Sequence, residues 1–150
     1  MGSRKLAGDD TVFAERVQVL TICNFGQVDS VFIDDAGPNQ RACVVPHKGY
    51  IKLGAVFTSH NEDIDNPDQA AVADILARCN RMVPGLDATA DDVIATFCAA
   101  RPERTSWVPR VEKTTLADGR TLVHNYGHDG MGFLLAPGIA LEIAGYVAAD

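Results

Sequence analysis

No C-x-x-C pair occurs in this chain, and no strand opens into a G-x-G-x-x-G turn. The first absence removes redox dithiols and most zinc ribbons from consideration. Cys23, Cys43, Cys79 and Cys98 sit in the stretches TICN, ACVV, ARCN and TFCAA, and read as buried free thiols. The second absence removes the phosphate grip of a dinucleotide fold, so at most half of a nucleotide site is encoded here. Positive charge is scarce, with 13 Lys and Arg against 20 Asp and Glu and a net charge of -7. The basic residues cluster only around Arg101, Arg104 and Arg110. Nucleic acid and anionic membrane surfaces are therefore not expected partners. No uninterrupted run of about 18 apolar residues occurs, and the N-terminus shows no signal-like apolar stretch. The expectation is no membrane partner and a cytoplasmic location. Internal repeats and low-complexity linkers are also absent.

What remains is an ordinary globular mixture: 150 residues, 47% hydrophobic and 22% charged. That suits one domain with a real core. Residues 11–24 and 30–34 read as strands, and the turn-rich AGPNQ follows at 36–40. Residues 41–46 and 50–58 read as a hairpin turning at His47, Lys48 and Gly49. In its second arm Ile51, Leu53, Ala55 and Phe57 fall on one face by period two. Residues 60–68 are an acidic loop without the ligand order of a calcium hand, and so a solvated one. Ala71, Val72, Ile75, Leu76, Cys79 and Met82 make a helical stripe over 68–82, opened near Pro67 and stopped by Val83, Pro84 and Gly85. Strands follow at 92–100, 107–115 and 121–125, then a helix over 133–148 that either begins near Ala136 with Pro137 in its first turn or kinks at Pro137. Pro109 puts the middle strand near an edge. The order β-β-β-β-α-β-β-β-α implies an α+β fold with a mostly antiparallel sheet and two main helices.

Residues 121–138, TLVHNYGHDGMGFLLAPG, carry the densest signal. A short strand runs into a turn with Gly127, Gly130 and Gly132, and an apolar helix follows. Such a turn aims backbone N–H groups at an anion. His128 and Asp129 sit in it as a conceivable acid/base pair, although adjacent turn residues seldom face each other. His124 and His128 with Asp129 are too common a combination to imply zinc, and no metal is expected. Tyr126 is an aromatic whose hydroxyl needs a partner.

The pattern V-H-N-Y-G-H-x-G-x-G-(x5)-G-x-A-L-E-I-A at 123–144 resembles the C-terminal signature of the D-amino-acid oxidase family of FAD-dependent oxidoreductases. Ala100-Arg101-Pro102 with Pro109-Arg110-Val111-Glu112 resembles that family's Arg-Pro segment. VVPHKGYIKLGAVF (44–57) resembles its substrate-domain hairpin, and GSRKLAGDD (2–10) the tail of a glycine motif midway through such enzymes. The resemblance implies the family's later half, without the N-terminal dinucleotide-binding portion, and a substrate-binding domain of that type.

It further implies that Arg101 meets the carboxylate of the substrate, where a guanidinium fork gives position as well as affinity. Gly127, His128, Gly130, Met131 and Gly132 would face the flavin. Cys43 falls where the family has an active-site tyrosine, and Trp107 lies in a lengthened Arg-Pro segment, so both are substrate-side candidates. Catalytic candidates are His128, Asp129 and Tyr126. Asp129 stands where the family favours glycine, and a carboxylate aimed at a pyrophosphate is repulsive, on the order of 1 kcal/mol in water. The isolated chain is expected to bind no cofactor, and FAD only if a partner chain supplies the missing half. The expected ligand is a small amino- or carboxylate-bearing molecule, with no autonomous flavin redox chemistry and a non-redox biosynthetic role as one outcome. The alternatives are half of a split oxidase and a non-catalytic homodimeric scaffold.

Overall fold

The computed structural model describes residues 2–35 and 41–148, so the expected turn at 36–40 lies outside the described residues. The order is α1 (Gly2–Ala7), β1 (Val12–Cys23), β2 (Phe32–Asp34), β3 (Ala42–His47), β4 (Tyr50–Ser59), α2 (Gln69–Met82), β5 (Val93–Arg104), β6 (Arg110–Thr115), β7 (Thr121–Tyr126) and α3 (Gly132–Ala148). This is the expected α+β order with α1 added. The chain divides into two compact units, one of residues 15–100 and one of residues 1–14 with 101–150.

The unit of residues 15–100 is built on the sheet β2-β3-β4-β1-β5. The pairs β2–β3, β3–β4 and β1–β4 are antiparallel. Leu20, Ile22, Val44, Ile51 and Leu53 point from the strands into one core, met by Val72, Ile75, Leu76 and Cys79 of α2. Fully burying such a side chain contributes roughly 1.5–3 kcal/mol. The period-two reading of β4 fails past Leu53. Val19 pairs Gly54 and Gln18 pairs Val56, so Ala55 is an extra residue bulged out of the ladder. Its insertion reverses the phase: Val56 packs against the core, and Phe57 instead lies 5.4 Å beneath the Arg41 guanidinium.

Helix α2 starts after Pro67, with Asp68 as its cap accepting from the Ala70 N–H at 2.8 Å. Beneath the cap, buried Gln18 exchanges hydrogen bonds with the Asp68 backbone, 2.9 Å each way. Buried Arg16 donates to the carbonyls of Asp63 and Asn66. The acidic loop is thus held through its backbone. Asp63 accepts from Asn66 and the Asp65 N–H, and these bonds, those of Asn66 foremost, lower its pKa. Among the described residues no group of three or more His, Cys, Asp or Glu could hold a metal.

The second unit contains α1, the first residues of β1, the last residues of β5, the β6–β7 hairpin and α3. Strand β5 continues through Arg101 and Pro102 to Arg104. That extension fits an outer strand, since proline costs least at a sheet edge. β6 starts at Arg110, after Pro109, because Trp107 takes a left-handed φ of 56° and breaks the strand expected from 107. α3 begins at Gly132 and passes through Pro137. None of its residues is buried, and Phe133, Leu134 and Leu141 are exposed. Residues 129–148 are also long and apolar enough to cross a membrane by length and composition, with Glu142 as their interruption beyond Asp129.

Candidate functional site

The second unit centres on Asp9, a buried carboxylate reached from three directions. Thr11 donates through its hydroxyl at 2.5 Å and its N–H at 3.0 Å. Tyr126 donates its phenol at 2.9 Å. The guanidinium groups of Arg104 and Arg110 lie 3.3 and 3.6 Å away. The Thr11 hydroxyl, followed by Tyr126, the Thr11 N–H and Arg104, outweighs burial and brings the Asp9 pKa down to about 2. Arg110 donates to the Tyr126 oxygen at 2.8 Å and is paired with Glu112 at 2.6 Å. Burial raises the Tyr126 pKa, so the phenol keeps its proton at neutral pH. Tyr126, a catalytic candidate by sequence, thus bridges Asp9 and Arg110. His124, in the same hairpin, is buried edge-on to Tyr126 and lies 3.4 Å from the Thr114 hydroxyl.

The end of β5 lays two arginines against the glycine turn. Gly127 has φ +78°, and a Cβ there would stand 2.7 Å from Cγ and Cδ of Arg104. Only glycine suits both the left-handed backbone and that space. At Gly130 a Cβ would be 3.1 Å from Nη1 of Arg101. Arg101 also reaches Asp129, with Nη2 2.6 Å from Oδ1. Asp129 itself takes a left-handed φ of 50°. The turn is closed by a bond from the Met131 N–H to the His128 carbonyl at 2.9 Å. The structure therefore brings Arg101, Asp129 and the glycines together, with the Asp129 carboxylate on the arginine. Arg104 stands out in the sequence only as a member of the basic cluster, with no site role attached to it. The signal was present in the second arginine of R-P-E-R, three residues after the first.

Among the described residues, the remaining candidates make no contact with Arg101 or Asp129 of the kinds described above. Trp107 is exposed and stands edge-on to Phe13 at 6.5 Å. Met131 is exposed. Cys43 belongs to the other unit, on β3 opposite Gly54, and burial raises its thiol pKa, which makes a poor nucleophile. Cys79 beside it is pushed up to about 11, chiefly by burial. An open groove of about 550 Å³ runs along α3, lined by Asn125, His128 and Gly132 at one end and by Ala136, Ala140 and Ala144 along the helix.

A pyrophosphate-bearing cofactor needs free N–H donors and a turn without negative charge. Here the Met131 N–H is already bonded within the turn. Gly127 and Gly130 face arginine side chains of the same unit, and the turn carries the Asp129 carboxylate. These residues do not make a site that fits FAD by themselves, and no chemical step is derived through it.

Residues 2–146 match the DAO family, FAD dependent oxidoreductase. The chain is 34% identical over 144 residues to a D-amino-acid oxidase of Streptomyces coelicolor, covering 96% of this chain and 43% of that protein. It is 32% identical over 151 residues to human D-aspartate oxidase, covering 99% and 42%. Among solved structures it is similar to glycine oxidase from Geobacillus kaustophilus, with a TM-score of 0.79 at 19% identity over 99% of this chain and 38% of that one. L-proline dehydrogenase from P. horikoshii gives 0.68 at 15%, over 91% and 36%. The chain thus spans less than half the length of these relatives.

Proposed function

This chain belongs to the DAO family of FAD dependent oxidoreductases, and from that premise we propose that it is the substrate-side portion of a D-amino-acid-oxidase-like flavoenzyme. In this reading it binds a small amine- or carboxylate-bearing molecule and carries out no flavin redox chemistry alone. The supporting observation is Arg101, carried by the end of β5 onto the glycine turn and holding a carboxylate at 2.6 Å. A half-buried guanidinium in that position orients an anionic group through two parallel N–H donors. FAD, when supplied, brings the hydride-accepting ring. This chain contributes the arginine and the turn that orient a ligand. The test is titration of the purified chain with FAD, read by visible absorbance, together with peroxide release from D-alanine under oxygen. No stoichiometric yellow complex and no peroxide are expected, and unaided turnover refutes the reading.

A second reading has an observation of its own. The exposed apolar side chains of α3, Phe133 at 97% among them, favour a homodimer through that helix. Light scattering separates the dimer, at twice the chain mass, from a monomer, which excludes it.

A further inference from the structure

The Arg101–Asp129 pair does more than brace the turn. Both groups remain partly open to solvent, with side-chain exposures of 26% and 36%. A free ligand can therefore approach the same guanidinium. One face of that guanidinium abuts the turn backbone, where Nη1 stands 3.1 Å from the position a Cβ of Gly130 would take. Another donor, Nη2, is taken by Oδ1 of Asp129 at 2.6 Å. Asp129 reaches it from a left-handed backbone, φ 50°, that an L-residue holds only at a cost. Glycine fills such a position without strain and aspartate tolerates it, and what Asp129 adds there is a carboxylate on Arg101.

A carboxylate tethered this way competes at an effective concentration on the order of millimolar or above. Free carboxylates must exceed that before they occupy the fork.

We propose that Arg101 is a small-carboxylate site held shut by the tethered carboxylate of Asp129, which thereby sets the ligand class the native chain accepts. The pair leaves the fork without net charge. Monocarboxylates are disfavoured there, and amines lacking a carboxylate meet no such barrier. This inference rests on the reading of Arg101 as a ligand-facing residue.

The test uses the whole chain, labelled with nitrogen-15, and follows the Arg101 Nε–H resonance during titration with sodium propionate at constant ionic strength. Asp129→Asn keeps the side-chain shape and removes the charge. Asp129→Gly removes both and suits the left-handed backbone, so it guards against misfolding of the first variant. Both variants are expected to bind propionate about two- to fivefold more tightly than the parent, the upper part of the range for a partly exposed ion pair. That gain should vanish when Arg101→Gln is added to either. A change below about twofold in both variants overturns the inference, as does a gain that survives loss of the arginine. A brace with no competing role gives the first of these. Neither result depends on flavin, so failure here leaves the FAD titration standing, and an unaided oxidase would refute the proposed function without moving the propionate response.

Discussion

Replacing Gly127 with alanine should destabilise the chain by about 2–5 kcal/mol, in two separable parts. The backbone part comes from φ +78°, which costs an L-residue roughly 1–2 kcal/mol relative to glycine. The packing part comes from a Cβ placed 2.7 Å from both Cγ and Cδ of Arg104. Those atoms are mid-stem and cannot swing aside alone. The guanidinium they carry is 3.3 Å from Asp9, 3.2 Å from the Thr11 hydroxyl and 3.0 Å from the Val108 carbonyl. Moving the stem loosens those contacts, at about 1–3 kcal/mol for an overpacked site. Gly119 supplies the control. It has φ +84° in the β6–β7 turn and nothing within 4 Å of its Cβ position. Gly119→Ala should therefore show the backbone part alone, about 1–2 kcal/mol. The assay is urea unfolding of parent and both variants under identical conditions, comparing midpoints at constant slope. A Gly127→Ala loss no larger than that of Gly119→Ala would refute the packing argument and, with it, the claim that Arg104 shapes the turn.

The other predictions concern charge and assembly. Asp9 has its folded-state pKa lowered to about 2 from 3.8, so its contribution is complete above about pH 4 and is lost as pH falls towards 2. The acid limb of the stability profile should lose on the order of 1–2 kcal/mol over that window in the parent. Asp9→Asn should be less stable at neutral pH and should lose that much less stability than the parent across the window, and an acid limb as steep as the parent's would contradict the assignment. The exposed apolar surface of α3 should give a dimer mass by light scattering at micromolar concentration, and a Leu141→Glu variant should shift it towards monomer.

The strand and helix order was legible because the core residues obey their periods: Leu20 and Ile22 in β1, Val72, Ile75, Leu76 and Cys79 in α2. Helix α1 was not, since Gly2–Ala7 buries nothing and so carries no apolar stripe. The bulge at Ala55 was also invisible, because it is set by where Val19 and Gln18 find partners on another strand. At the site, the glycines and Arg101 were readable as a motif. The pairing of Arg101 with Asp129 was not, as these residues lie far apart in sequence and meet only through the turn that β7 delivers. Tyr126 illustrates the same limit. Its need for a partner was evident, but Asp9 lies at the other end of the chain and no local pattern points to it.

The most direct test of the account is peroxide release from D-alanine with FAD and oxygen. The purified chain alone is predicted to give none and to bind no stoichiometric flavin. Turnover by the chain without any other polypeptide would contradict the account.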